Sequence, residues 1–248
     1  MKIDAVVLAA RANTGRLASL SDEALEANID IAGKPMLSYV ISILERSPHI
    51  SKIIVVGPKH GLARYEGGKV CIAEPGADLI DNVRIGLNHA DTQFVLVASS
   101  DIPLLTTGAL EDFLTSAVDS GADFVYSIST KEDCEKKYPG VERTYVKVRG
   151  ETFTGGNLFF ARKSVVQDVW PVVEKMIQYR KSPLKMASFF GFWFVARVFL
   201  GLAGIPEIEE YVSKLLGIKC KAVISAPEIS VDVDKPQDLE LVRDILGK

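Results

Sequence analysis

Cysteine is too scarce and too scattered in this sequence to hold it together. Cys71, Cys134 and Cys220 are the only three, an odd number at wide spacing, so neither a disulfide framework nor a zinc knuckle can be read from them. A reducing cytoplasm is the expected setting. Positive charge is not in excess either. The 29 Lys and Arg stand against 32 Asp and Glu, for a formal net charge of -3, which argues against a protein whose main affinity comes from neutralising a nucleic-acid backbone. The opening apolar run, Ala5 to Ala10, is too short for a signal-peptide core and no cleavage pattern follows it. No internal repeat, low-complexity tract or linker is present. The histidines, His49, His60 and His89, are isolated, and none belongs to a paired nucleophile motif of the kind a hydrolase needs.

What is abundant is apolar material. Of 248 residues 48% are hydrophobic, enough for one sizeable core, and the expectation is a single domain spanning 1–248 with a helical insertion at about 164–216. Ile3 to Ala10, Ile53 to Gly57 and Phe94 to Ala98 are β-branched or alanine-rich runs with little alternation, the pattern of strands covered on both faces. A shorter strand is expected at Lys69 to Ala73. Between them, Met36, Tyr39, Val40, Ile43 and Leu44 recur at helical spacing after Gly33-Lys34-Pro35, with Pro35 where a first helical turn tolerates it. Leu79, Val83 and Leu87 share one face of a helix over Asp78 to Ala90. Strands alternating with helices at these lengths predict βαβ units with parallel pairing: an α/β fold with a mostly parallel central sheet flanked by helices, a Rossmann-like three-layer sandwich. Further strands are expected at Ala122 to Ser129, Thr144 to Val148, Leu158 to Ala161 and Lys219 to Ser225. Thr154-Gly155-Gly156-Asn157 reads as a tight loop between two of them, and Lys235 to Leu246 as a final amphipathic helix.

Three segments carry residue types suited to phosphate and metal chemistry. A polar, glycine-containing loop, Leu8-Ala9-Ala10-Arg11-Ala12-Asn13-Thr14-Gly15-Arg16-Leu17, follows the first strand directly. That is where open α/β sheets bind ligands, and its backbone N–H groups can face phosphate oxygens while Arg16 and Arg11 add charge. Asp101 ends a strongly apolar strand and precedes Ile-Pro-Leu-Leu. A carboxylate there needs a cation or hydrogen-bond donors, and Mg²⁺ bridging triphosphate oxygens would serve; otherwise Asp101 only starts a turn before Pro103. In Ser230-Val231-Asp232-Val233-Asp234-Lys235-Pro236-Gln237-Asp238, an extended backbone points Asp232 and Asp234 to one side, so either can join Asp101 on a metal. Alternatively Asp234 caps the helix that begins near Pro236.

Taken in order, LAA…GRL, GKPML, SSDIPLLT, GGN and DVDKPQDLELV resemble the nucleotidyltransferase family with a GT-A-like fold, which includes the MobA-like proteins and the sugar-phosphate nucleotidyltransferases. The match covers roughly residues 1 to 165 and 218 to 246. The resemblance implies a loop from Leu8 through Ala9, Ala10, Arg11 and Gly15 to Arg16 that binds base and phosphates. It implies Asn82 near the base and Gly155, Gly156 and Asn157 near the acceptor. Asp101 becomes the metal-binding aspartate, with Asp234 as second ligand and Asp232 its close competitor. The implied reaction moves a nucleoside monophosphate from a nucleoside triphosphate to a phosphorylated acceptor, with Mg²⁺ or Mn²⁺ as cofactor and with Arg16 and Lys34 steadying the departing pyrophosphate. Two residues depart from the family pattern. Arg11 stands where relatives have glycine, and Glu26 stands where many carry a phosphate-contacting lysine. They favour the alternative of a nucleotide-binding or scaffold protein without turnover; a nucleotide-sugar glycosyltransferase is a further alternative on a related fold.

Met186 to Ile205 is the most apolar stretch and nearly long enough to span a bilayer. Arg197 in its middle would cost about 2.5 to 3.5 kcal/mol on insertion, and a crossing would separate residues 206–248 from the sheet, so spanning is not expected. Three readings stay open: a buried helical subdomain or homodimer interface, peripheral membrane contact through 180–205, and an apolar wall for a lipid-linked acceptor whose phosphate Arg180 and Lys181 would hold.

Overall fold

The computed structural model describes residues 1–179 and 182–247, with backbone alone described at 167, 173, 177 and 183. The first half contains β1 (Ile3–Leu8), a small hairpin of β2 (Asp30–Ile31) and β3 (Lys34–Pro35), α1 (Met36–Arg46), β4 (Ile50–Val56), α2 (Lys59–Leu62), β5 (Val70–Ala73), α3 (Leu79–His89), β6 (Phe94–Ser99) and α4 (Thr107–Asp119). Then come β7 (Phe124–Thr130), α5 (Lys131–Lys137), β8 (Val146–Val148) and the long β9 (Glu151–Arg162). Helices α6 (Lys163–Asp168), α7 (Trp170–Tyr179), α8 (Pro183–Phe190), α9 (Phe192–Phe199) and α10 (Ile205–Leu216) follow, before β10 (Cys220–Ile224) and α11 (Pro236–Leu246) close the chain.

The main sheet has the order β10-β7-β9-β6-β1-β4-β5, with β8 added to β9. β1 pairs in parallel with β4 and β6, β4 with β5, and β7 with β10, while β9 runs antiparallel to β6, β7 and β8. The apolar runs of β1, β4 and β6 have no polar face because both faces are covered. Ala5 and Val7 join a core with Leu37, Val40 and Leu44 of α1 and Leu110, Phe113 and Leu114 of α4. Val6 joins a second core on the opposite face with Ile54, Val56, Val97 and Leu87 of α3. The result is helix, sheet, helix in three layers. Close packing of α3 depends on Gly86, where an added Cβ would stand 2.2 Å from a methyl of Val6.

Pro35 acts differently from the sequence expectation. Ala32 and Gly33 both take positive φ, 51° and 82°, which makes the two-residue turn of the β2–β3 hairpin. Pro35 is the residue before α1 and not part of its first turn. The apolar stretch near the carboxyl end is two short helices separated by Gly191, at φ 85°. Among the described residues no helix is long and apolar enough to cross a membrane.

Candidate active site

The parallel strands β1, β4, β5 and β6 all finish at one edge of the sheet, and the candidate site is built there. Asp101 follows β6 and is fixed from the far end of the chain, since the backbone N–H of Val233 donates to the Asp101 carbonyl over 2.9 Å. Val231 and Val233 are completely buried in a third core with Leu17, Met36, Leu104, Leu239 and Val242. With the valines turned inward, the alternation of an extended chain carries Asp232 and Asp234 to the other side. Carboxylate oxygens of Asp101, Asp232 and Asp234 lie within 4.8 Å of one another. Asp234 does not cap α11. Asp238 does so, its Oδ2 accepting the backbone N–H groups of Asp234 and Lys235 at 3.2 and 3.0 Å.

Three carboxylates this close repel one another, and burial adds to the cost. Asp101 Oδ1 is closed to solvent and has no hydrogen-bond partner among the described residues. Burial pushes the Asp101 carboxyl up, opposed by the neighbouring Ser99 and assisted by the charge of Asp234. Asp232 is pushed up to about 6, by burial first and then by Asp101, with Arg143 acting in the opposite direction. Glu26 is raised as well, through burial that outweighs its partner Arg11. An all-oxygen, anionic donor set with an orphaned buried oxygen fits a hard divalent cation.

The raised carboxyls make a pH prediction with a definite sign. A carboxyl whose pKa is higher in the folded than in the unfolded chain takes up protons on folding, so the protein gains stability as pH falls through the folded value. In chelator-treated protein the melting temperature should therefore rise as pH is lowered from 7.5 through 6 towards 5, with Asp232 alone contributing on the order of 2 kcal/mol. Saturating Mg²⁺ should reduce that slope. A flat or falling profile in the chelated protein would refute the repulsion.

The loop after β1 folds back on itself: Asn13 N–H donates to the Ala24 carbonyl, Glu26 N–H to the Arg11 carbonyl, and the Asn13 amide to the carbonyls of Ser21 and Glu23. It brings Arg11 to the carboxylates. Arg11 donates to Asp234 Oδ1 at 2.6 Å, and its Nε lies 3.0 Å from the buried Glu26. The two residues that depart from the family pattern are thus each other's partners, with Arg11 occupying an oxygen of a candidate metal ligand. Leu8 and Ala10 are half-buried and Ala9 fully buried at the root of the loop, while Gly15 and Arg16 are exposed along it. Asn82 is buried in α3, and its Oδ1 accepts from Gly76 N–H, which shapes the loop between β5 and α3.

Among the described residues Lys34 forms no ion pair with the three carboxylates, whose cationic partners are Arg11 and Arg143. It is exposed on the β2–β3 hairpin, whose Asp30 carbonyl accepts from Arg243. Arg243 lies two turns into α11, on the order of 10 Å along the helix from the end near Asp234.

Beside the carboxylates opens a cleft of about 720 Å³, lined by Tyr126, Lys131, Arg143, Gly155, Gly156, Asn157, Asp232, Asp234 and Lys235 among others. Gly155 and Gly156 do not form a loop. They lie inside the continuous strand β9, where a Cβ on Gly155 would stand 1.9 Å from the Tyr126 hydroxyl and one on Gly156 2.3 Å from Ser127 Oγ. These glycines are needed for close approach to β7 and not for a turn, and β7 and β9 slip register at this point. Asn157 donates its amide to the Ile229 carbonyl at 3.2 Å. Arg180 and Lys181 lie outside the described residues.

Sequence reasoning missed Arg143. Its side chain is 8% exposed, it donates to the Asp232 carbonyl at 2.6 Å, and it stands 3.3 and 3.7 Å from the carboxylates of Asp232 and Asp238. Nothing local marks it, because its partners are some ninety residues away along the chain.

The model of the MobA-like NTP transferase domain matches residues 5–178. The chain belongs to the MobA-like NTP transferase family. Other comparisons agree with that membership. A structure described as a hypothetical transferase from Thermus thermophilus superposes with a TM-score of 0.86 at 31% identity, covering 96% of this chain and 100% of the other. A 2-C-methyl-D-erythritol 4-phosphate cytidylyltransferase from Frankia casuarinae is 30% identical over 138 residues, 54% of this chain and 50% of the relative. The enzyme of the same name from Chlamydia abortus is 31% identical over 90 residues, 36% and 42% of the two chains. The chain thus matches half or less of the length of these curated relatives. CMP:2-keto-3-deoxy-manno-octonic acid synthetase, solved with CTP, shares the fold at a TM-score of 0.62 and 16% identity over 99% of this chain and 98% of the other.

Proposed function

We propose that this chain transfers a nucleoside monophosphate from a nucleoside triphosphate to a phosphorylated acceptor and releases pyrophosphate. The observation that carries the reading is the convergence of Asp101, Asp232 and Asp234, from segments more than a hundred residues apart, at the carboxyl edge of the sheet. In this reading the three aspartates hold Mg²⁺ or Mn²⁺, which when bound supplies charge neutralisation to triphosphate oxygens. The loop from Leu8 to Arg16 presents backbone N–H groups and the exposed Arg16 to the phosphates. Arg11 leaves Asp234 when substrate arrives and turns its guanidinium to the triphosphate. The acceptor occupies the 720 Å³ cleft between β9 and the Arg143 segment, where Lys131 and Lys235 give its phosphate positive partners. An oxygen of that phosphate forms a bond to the α-phosphorus, the bond to the bridging oxygen breaks, and pyrophosphate leaves with the electron pair. An ionised acceptor needs no general base.

The names of the curated relatives favour CTP as donor and a sugar or polyol phosphate as acceptor. One observation favours a second reading, a nucleotide-binding protein without turnover: the Arg11 bond to Asp234 ties up a ligand oxygen. Incubating the protein with each of the four triphosphates, Mg²⁺ and a panel of sugar and polyol phosphates separates the two. Pyrophosphate release that requires both an acceptor and the metal, strongest with CTP, is expected. Nucleotide binding by calorimetry without pyrophosphate release across the panel would decide for the second reading.

A further inference from the structure

The outward face of α9 is the reverse of an ordinary surface helix. Phe192, Ala196, Phe199 and Leu200 recur at three- and four-residue spacing and are all exposed, and Trp193 beside them is 79% exposed. The inward side is already satisfied: Val195 and Val198 are half-buried and Phe194 stacks on Tyr211 with ring centroids 3.7 Å apart. Leu184 on α8 and Leu202 just after α9 extend the exposed apolar surface. Such a contiguous patch is unusual on a chain surrounded only by water.

Charge along this stretch of the sequence has one sign. From Lys175 to Pro206 the sequence has no Asp or Glu, while Lys175, Arg180, Lys181, Lys185 and Arg197 give it five positive charges. In the fold, Lys185 is exposed, and the stem of Lys147 from β8 would meet a Cβ on Gly201 at 3.6 Å, at the end of the patch. Glu207 at the start of α10 is shared by Arg149 at 2.9 Å and Arg197 at 3.6 Å, which leaves one positive charge over. Aromatic and leucine side chains with cations beside them, on helices too short to cross a bilayer, are the composition of an element that lies in the lipid headgroup region.

We propose that the α8–α9 surface docks on an anionic lipid bilayer, with Trp193, Phe199 and Leu200 entering the headgroup layer and the cations around them facing lipid phosphates. The chemistry selects this partner over a second copy of the chain, because a twofold contact would bring the same uncompensated cations together.

Flotation of the purified chain with phosphatidylcholine vesicles, with and without phosphatidylglycerol, is the test. The protein should float with the anionic vesicles at low ionic strength, and partitioning should fall roughly tenfold when phosphatidylglycerol is left out or salt is raised. Trp193→Glu and Leu200→Glu should each reduce flotation at least about tenfold. Both positions are on the surface, so the thermal melt should be unchanged. Lys185→Glu, which reverses a charge and leaves the exposed aromatic and leucine side chains in place, should weaken binding to anionic vesicles alone. Failure of the wild-type chain to float, or variants that float like it, would overturn the proposal. So would a solution dimer by light scattering that Trp193→Glu converts to monomer.

Discussion

Replacing Asp101 by asparagine should lower pyrophosphate release by on the order of 10³-fold while leaving the metal-free fold as stable as before, or more so. The two halves of this result have one origin. Asp101 places a carboxyl oxygen, closed to solvent and without a hydrogen-bond partner among the described residues, against two other carboxylates, an arrangement that costs stability until a cation arrives. Asparagine keeps the shape and removes the charge. It therefore relieves the repulsion that raises the Asp232 carboxyl and withdraws a ligand from the proposed metal. Activity and the chelated melting temperature should move in opposite directions, and Mg²⁺ should no longer raise the melting temperature of the variant. If Asp101→Asn instead melts well below the wild type with and without Mg²⁺, the carboxylate serves the fold and not a cation. Turnover within about tenfold of wild type would remove Asp101 from the proposed chemistry.

The carboxylates were legible in the sequence because each depends on a short-range rule. Asp101 closes an apolar run, and Asp232 and Asp234 alternate with valines. Once Val231 and Val233 are buried the acids have one side to face. The three-layer sheet was legible for a related reason, since strands covered on both faces read as unbroken apolar runs. The parts that were not legible depend on what the chain meets after folding. Gly155 and Gly156 carry the composition of a turn, yet they serve a strand, because what excludes a Cβ is Tyr126 and Ser127 on the neighbouring β7. Lys34 belongs to a motif that suggests phosphate contact, and the motif does not reveal that it stands exposed on a hairpin whose Asp30 carbonyl accepts from Arg243 of α11. The helices α4 and α5 went unassigned. Hydrophobicity alone could mark 186–205 as apolar, but it could not say that one face of α9 would stay uncovered. Arg11 reads in the sequence both as a charge added to the phosphate loop and as a departure from the family pattern, and its place between Glu26 and Asp234 follows from the way the loop after β1 folds back.

Arg143 is the residue for which the largest loss of stability is expected. Its guanidinium, nearly shut off from solvent, reaches the backbone carbonyl of Asp232 and the carboxylates of Asp232 and Asp238. Asp238 is itself buried and holds the first turn of α11 through two backbone N–H groups. Arg143→Met keeps most of the side-chain volume but leaves two acids facing each other without a cation. Breaking a buried pair in this way typically costs about 3 to 5 kcal/mol. Denaturant unfolding should show a loss in that range, and the loss should be partly reversed in Arg143→Met/Asp238→Asn, where the stranded charge is gone while the amide oxygen can still cap α11. The same cycle separates the structural role from any contact with the acceptor. The double variant should recover folding stability and still bind acceptor poorly, because the guanidinium would be missing from the cleft wall. A single variant that loses less than about 1 kcal/mol, the range of exposed ion pairs, would mean that solvent screens this cluster, and that Asp232 is held in place by its buried valine neighbours alone.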